Sequence, residues 1–213
     1  MSNEKPTATI RDVSPEGMTL SVSAFGETRD IHTPALHPQA EEFFLECCRS
    51  ATNLEGALEV WSEMLDPYLS MRPSDDPRCS VVVVESGPLS GDDLVAWGRL
   101  LARLQTPECK TVMVCGGVVV DQASDYDTLG ALAAALIRQR LGFFIGVGQP
   151  AKPIATQVGL EGSWDGESVF ADTPSRAYDY LCDQVHESDV VVVTGLDSNQ
   201  LHDLMTRWGG VVR

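Results

Sequence analysis

The loop from Glu85 to Gly91 contains the side chains of this sequence that are best placed to do chemistry. It follows four consecutive valines, Val81–Val84, and such a β-branched apolar run predicts a strand buried on both faces of a sheet. Open α/β sheets bind ligands at the carboxyl ends of their strands, where this loop lies. Glu85 is therefore a candidate site residue, although a structural role is the favoured interpretation of its carboxylate.

A helix is predicted directly after this loop. Ser90 is expected to cap its N-terminus, with Asp93 as the acidic half of a capping box. Capping and the helix dipole also account for Asp92 without a catalytic role. The apolar residues that follow recur on one helical face: Leu94, Trp97, Leu101 and Leu104. Strand, loop and helix form the first half of a βαβ unit.

The common catalytic and phosphate-binding motifs are missing from the sequence. There is no G-x-x-x-x-G-K-[ST] segment, and Gly146-Val147-Gly148 lacks the third glycine of a dinucleotide fingerprint, so these glycines are predicted to form a turn. Ser86 is not surrounded by G-x-S-x-G. The histidines form no H-E-x-x-H motif, and His186 and His202 are expected at the surface.

Composition excludes further classes of function. The six cysteines include no C-x-x-C pair, so no structural metal is expected, and Cys115 and Cys182 are interpreted as buried apolar residues. A formal net charge of −16 opposes binding to nucleic acid or to anionic membranes. No apolar run approaches the roughly 20 residues of a membrane span, and no signal-peptide pattern is present. A cytoplasmic location is the default expectation.

Residues 1–71 are predicted to form a small α+β segment. Short strands and helices follow one another there: Thr9–Val13, Met18–Ser23, Thr28–Thr33, Pro38–Ser50 and Leu54–Leu65. The charged, proline-rich segment 72–78 is interpreted as a linker between two domains.

Residues 79–213 alternate between strand and helix patterns. Strands are predicted at Thr111–Cys115, Phe143–Val147, Ser168–Phe170 and Val190–Val193, in addition to Val81–Val84. Helices are predicted at Thr128–Leu141 with Asp127 as N-cap, Pro174–Val185 and Asn199–Trp208. This alternation predicts an α/β class, with a Rossmann-like, mostly parallel sheet flanked by helices.

Four segments agree in order and framing with motifs of one enzyme family. Residues 37–41 read HPQAE where the family has H-N-x-x-N, and 85–94 read ESGPLSGDDL against D-x-Y-N-A-N-P-x-S-M. Residues 115–122 read CGGVVVDQ against L-G-D-M-x-E-L-G, and 194–197 read TGLD against K-G-S-R. The chain thus resembles the Mur ligases, in particular the branch that adds D-alanyl-D-alanine to the muramoyl tripeptide.

The resemblance implies a division of the chain and a position for its site. Residues 8–71 resemble the tail of the central domain and 79–213 the C-terminal Rossmann-like ligase domain, whereas the P-loop part has no counterpart in this sequence. Most polar groups expected to bind nucleotide and dipeptide are replaced, and Asp197 stands where the family has arginine. The candidate ligand cleft consists of Glu85, Ser86, Ser90, Gly116, Gly117, Asp121, Thr194, Gly195 and Asp197.

Two functions follow as expectations from the resemblance. The first is a non-catalytic binding or scaffold protein of peptidoglycan precursor synthesis, without a cofactor, whose partner is a Mur ligase or another cell-wall enzyme. The alternative is the C-terminal part of a split ATP-dependent amide ligase, which adds D-Ala-D-Ala to UDP-muramoyl-tripeptide and needs ATP, Mg²⁺ and a separate ATPase half. A generic α/β domain with a coincidental resemblance is a third possibility. None of the three implies nucleic acid or a membrane as partner.

Overall fold

The computed structural model describes residues 5–65, 81–87, 89–119, 126–161 and 167–208, with side chains for all of these except 81–86 and 126. The chain forms two compact units, Met1–Ser70 and Met71–Arg213. The predicted linker at 72–78 lies outside the described residues, so its role stays a prediction. Within the described residues, no helix combines the length and the apolar character needed to cross a membrane.

The first unit is a three-stranded antiparallel meander followed by two helices. Its elements are β1 (Thr7–Ser14), β2 (Gly17–Ala24), β3 (Glu27–Thr33), α1 (Ala40–Ser50) and α2 (Leu54–Leu65). The central strand β2 buries every second residue from Met18 to Ala24, as expected of a sheet with one face on a core. The indole of Trp61 donates a hydrogen bond of 2.8 Å to the carbonyl of Ala40, which joins the two helices.

The second unit contains a five-stranded sheet in which every strand is parallel to its neighbours. Its order is β4 (Val81–Ser86), β10 (Val190–Leu196), β6 (Thr111–Cys115), β8 (Phe143–Val147) and β9 (Glu167–Ala171). Two short strands, β5 (Leu89–Ser90) and β7 (Val118–Val119), form a separate parallel pair. The predicted parallel sheet is therefore confirmed, and with it the α/β fold class.

Helices cover both faces of this sheet. They are α3 (Gly91–Leu104), α4 (Tyr126–Arg138), α5 (Lys152–Leu160), α6 (Pro174–Gln184) and α7 (Ser198–Arg207), with a 3₁₀ turn at Gln149–Ala151. Helices α6 and α7 bury Leu181, Leu204 and Met205 against alternate residues of β6, β8 and β10. Helices α3, α4 and α5 pack against the opposite face.

Several element boundaries differ from the sequence-based predictions. Helix α4 begins at Tyr126, so Asp127 lies in its first turn and does not cap it. Gly146 lies inside β8 and not in a turn. Glycine is required there because a Cβ would come within 2.7 Å of the Cβ of Ala155, where α5 packs on the strand. Only Gly148 takes part in the predicted turn. Cys182 is half-buried and not buried as predicted, since the adjacent Leu181 takes the core-facing position of α6.

Candidate functional site

The three predicted site loops meet at one edge of the five-stranded sheet. They follow β4, β10 and β6, which are neighbours in that order, and parallel strands place their carboxyl ends together. The loops after β4 and β6 lead to α3 and α4 on one face, whereas the loop after β10 leads to α7 on the other. Loops that diverge in this way flank the crevice in which open α/β sheets bind ligands.

Backbone contacts close this crevice on the β6 side. The N–H of Gly116 donates a hydrogen bond of 2.9 Å to the carbonyl of Thr194. A Cβ on Gly116 would overlap the carbonyl oxygen of Gly195. Gly195 has a φ of +68°, a conformation that favours glycine, and a Cβ there would lie 2.7 Å from the carbonyl oxygen of Gly117. The loops after β6 and β10 are therefore in direct main-chain contact.

The strand pair β5–β7 closes the crevice from above. Leu89 pairs with Val118 and Ser90 with Val119, so the loops after β4 and β6 are joined although β10 separates their strands. Leu89 is buried, and its Cβ lies 3.3 Å from the position of a Cβ on Gly195. Leu89 thus lies next to Gly195, near the carboxyl end of β10.

The polar groups of Ser90 are used by the helix that follows. Its hydroxyl accepts a hydrogen bond of 3.1 Å from the N–H of Asp93 and donates one of 2.6 Å to the Asp93 carboxylate. The same carboxylate accepts a 3.3 Å hydrogen bond from the N–H of Ser90. This is a complete capping box, so the predicted N-cap of α3 is confirmed.

Asp197 has a similar structural role at the start of α7. Its carboxylate accepts hydrogen bonds of 2.9 Å from the N–H groups of Asn199 and Gln200. The side-chain oxygen of Gln200 accepts a 3.2 Å hydrogen bond from the N–H of Asp197. The helix N-terminus stabilises the negative charge here, at the position where the resemblance implies an arginine. The sequence signal for this cap, D-x-x-Q, was readable but was missed.

The structure describes the other predicted site residues only in part, with the backbone alone at Glu85 and Ser86. Glu85 pairs with Thr194 and Ser86 with Leu196, across an irregularity of the β4–β10 ladder at Gly195. Thr194 is fully buried. Asp121 lies outside the described residues. The ligand-binding role of the nine cleft residues stays a prediction.

The described residues of this edge show little reactive chemistry. Burial raises the pKa of the Cys115 thiol to about 12, while a backbone hydrogen bond from Gly117 opposes the shift, so the thiol is neutral near pH 7. In the described part of the chain, no cluster of three His, Cys, Asp or Glu residues could hold a metal ion. What the edge offers is main-chain packing and carboxylates committed to helix caps.

His37, the one residue retained from the family's H-N-x-x-N motif, is a core residue of the first unit. Its side chain is 1% exposed, and its ring stacks on Phe43 with centroids 4.8 Å apart. Its Nδ1 accepts a hydrogen bond of 3.2 Å from the N–H of Gln39. Burial and stacking account for the retention of this histidine without a ligand.

Over nearly its whole length, the chain is similar in fold to solved structures of the ligase MurF and of folylpolyglutamate synthase. MurF from Acinetobacter baumannii superposes with a TM-score of 0.66 at 12% identity, over 98% of this chain and 46% of that chain. MurF from Thermotoga maritima, solved in complex with ADP, gives 0.57 at 12% identity, over 95% and 46%.

Folylpolyglutamate synthase from Mycobacterium tuberculosis, solved with ADP and AMPPCP, is similar at a TM-score of 0.60 and 16% identity, over 99% of this chain and 49% of that chain. The chain therefore spans a little under half the length of these enzymes. At such low identity the likeness is one of fold, and at that level the predicted resemblance to the Mur ligases is confirmed. No family model and no curated protein sequence matches the chain.

Proposed function

We propose that this Mur-ligase-like chain works by binding a protein partner in peptidoglycan precursor synthesis, and not by catalysing ligation itself. The observation that carries the proposal is the closed carboxyl edge around β10. Gly116 and Gly195 are in main-chain contact there, Leu89 fills the space above them, and Ser90 and Asp197 are committed to helix caps. Within the described residues, the main-chain contact between Gly116 and Gly195 favours binding of a macromolecule on the outside of this edge over binding of a nucleotide between the strands.

The charge of this edge indicates the chemistry of the partner. Acidic residues occur in the first turns of α3 and α4 and at the cap of α7: Asp92, Asp93, Asp127 and Asp197. A surface of this sign attracts a basic protein segment and repels a nucleotide. We infer that the partner is a Mur ligase or another cell-wall enzyme, that no cofactor is needed, and that the complex forms in the cytoplasm.

The split ligase remains the second candidate, because the match to MurF includes 98% of this chain but only 46% of the MurF chain. In that case ATP and Mg²⁺ would be bound chiefly by a separate half with a P-loop. The closed edge would then have to open in the assembled enzyme. The two candidates predict different partners: a P-loop protein for the split enzyme, and a complete ligase or other cell-wall enzyme for the binding protein.

A pull-down with charge variants tests the proposal. The tagged chain is used to capture proteins from its source cell, and captured proteins are identified by mass spectrometry. We expect a cell-wall enzyme, with capture weakened by Glu85→Lys and by Asp197→Arg. Glu187→Lys makes the same charge change as Glu85→Lys at the other edge of the sheet and should capture normally. Asp197→Asn keeps a capping side chain but loses the charge, so it should weaken capture less than Asp197→Arg does. If neither Glu85→Lys nor Asp197→Arg weakens capture, the functional surface lies elsewhere.

A further inference from the structure

We infer that a second surface, at the amino edge of the five-stranded sheet, binds an acidic protein segment. This surface consists of Arg99, Arg103, Lys110, Arg138 and Arg140, and is called the basic helix end. It lies at the opposite edge from the candidate cleft, because α3 and α4 both start at the carboxyl edge and end here. The inference therefore does not depend on the function proposed for the cleft.

The C-terminal ends of α3 and α4, which carry four arginines, lie next to each other at the amino edge. Gly98 of α3 lies against α4: a Cβ at this position would be 2.9 Å from Leu136 and 3.7 Å from Gln139. Arg99 follows Gly98 and Arg140 follows Gln139, so each of these two arginines is next in sequence to a residue of this helix contact. Arg103 is one turn further along α3, and Arg138 ends α4. All four side chains are exposed.

Lys110 extends the same surface towards the sheet. Its aliphatic chain packs against Gly142, two residues beyond Arg140, and the N–H of Gly142 donates a hydrogen bond of 3.0 Å to the carbonyl of Thr111. Acidic residues also occur at this edge, before β6 and β10 and at the start of β9. Asp189 is buried and its carboxylate accepts hydrogen bonds of 2.8 Å from the N–H groups of Lys110 and His186, whereas Glu108, Glu167 and Glu187 are exposed.

This concentration of cations stands out against the charge of the chain. The formal net charge is −16, and the described part of the second unit contains only three cations outside the basic helix end: Lys152, Arg176 and Arg207. In the described part of the chain, no salt bridge joins Arg99, Arg138 or Arg140 to a carboxylate. Negative charge beyond about 8 Å is screened at physiological ionic strength, so among the acidic residues mainly Glu108, next to Lys110, opposes the positive charge of the basic helix end.

Helix stability explains only part of this cluster. Arg103 and Arg138 lie in the last turns of α3 and α4, where cations offset the helix dipole. Arg140 instead has a φ of +59°, directly after the end of α4, at a position where helices usually place glycine. The chain thus keeps an arginine where its backbone would be more stable with glycine. Arg99 lies in the second half of α3, where no capping role applies.

The local backbone indicates which anion this surface binds. Helix C-termini present carbonyl groups and not N–H donors, so a compact phosphate finds none of the backbone hydrogen bonds that a helix N-terminus supplies. Guanidinium groups spaced over two helix ends instead suit carboxylates distributed along a chain, each bound in a bidentate pair. The occupant that fits is an acidic protein segment.

Binding of a fluorescein-labelled deca-glutamate peptide, measured by anisotropy at low and high salt, tests this inference. The intact chain should bind the peptide with an affinity that falls as salt rises. Arg99→Glu/Arg140→Glu should weaken binding about tenfold. The control, Arg176→Glu/Arg207→Glu, makes the same change in net charge with residues of α6 and α7 and should alter binding by less than about twofold.

A third variant separates binding from folding. Arg140→Gly removes the strained backbone position together with the cation, so the protein should become more stable while peptide binding weakens. Absence of peptide binding by the intact chain, or an equal loss in the two double variants, would overturn the inference. Tighter binding of inorganic tripolyphosphate or of a single-stranded oligonucleotide than of the peptide would show that an acidic protein segment is the wrong occupant.

Discussion

The two edges of the five-stranded sheet use their polar side chains differently. At the carboxyl edge, the side chains of Ser90 and Asp197 cap the helices they begin, and Gly116 and Gly195 are in main-chain contact. At the amino edge, Arg99 and Arg140 are exposed, and neither forms a salt bridge within the described residues. The edge where related folds bind ligands is built for stability, and the opposite edge carries groups that stability does not explain.

The largest effect is expected from opening the closed edge by mutation. Gly116→Val introduces a Cβ that overlaps Gly195, whose backbone cannot move without disturbing β10, so unfolding free energy should fall by about 3 kcal/mol or more. Denaturant titration followed by circular dichroism measures this loss. Gly130→Ala in α4 is the control, because its Cβ meets only the Gln157 side chain at 3.8 Å, and it should stabilise by about 0.5–1 kcal/mol. Equal behaviour of the two variants would refute a closed edge.

The Cys115 thiol gives a chemical measure of the same closure. With its pKa raised to about 12, alkylation by iodoacetamide at pH 8 should be about a thousandfold slower in the folded than in the unfolded protein. Because the folded pKa lies above the unfolded value of 9.0, this group favours the folded state below pH 9 and loses that contribution as pH rises towards 12. Mass spectrometry of the Cys115 peptide follows the reaction. Rapid labelling in the native protein would mean that the end of β6 is accessible.

Removal of the α7 cap should have a smaller effect. Asp197→Ala leaves the N–H groups of Asn199 and Gln200 without their acceptor and should cost about 1 kcal/mol. Asp197→Asn retains an acceptor and should be nearly neutral, which separates capping from charge. Thermal unfolding monitored by calorimetry distinguishes the two. If Asp197→Ala unfolds at the same temperature as the parent protein, the Asp197 carboxylate is not needed as a cap. The carboxyl edge would then, like the amino edge, carry a charged group that stability does not explain.

The smallest change is expected at the basic helix end. Arg140→Gly relieves a left-handed backbone position and should raise the unfolding free energy by about 1 kcal/mol or less. The same denaturant titration detects it. A destabilised variant would mean that the Arg140 side chain holds the helix end together, and the contrast between a structural edge and a binding edge would then fail.

Patterns within single segments predicted most of the fold. The valine runs of β4 and β10, the helical stripe of α3 and the Ser90–Asp93 capping box are local features, and each was interpreted correctly. The short pair β5–β7 was not predicted, because two-residue strands have no periodicity. Helix α5 was also missed, since its proline and β-branched residues give a weak helical pattern.

The closure of the candidate site depends on contacts that no local pattern contains. Gly116 and Gly195 are far apart in the chain, and their backbones meet only because β10 inserts between β4 and β6. The sequence predicted that their loops share an edge, which the strand order confirms. It could not predict whether that edge is open, because the answer depends on where Leu89 points after the chain has folded.

Titration of the purified chain with Mg-ATP in a calorimeter tests the central claim most directly. The sequence contains no P-loop motif, and Gly116 and Gly195 are in main-chain contact at the carboxyl edge, so we expect an affinity no better than about millimolar. Micromolar affinity, tightened further by Asp197→Arg, would show that the edge binds nucleotide and would contradict the account.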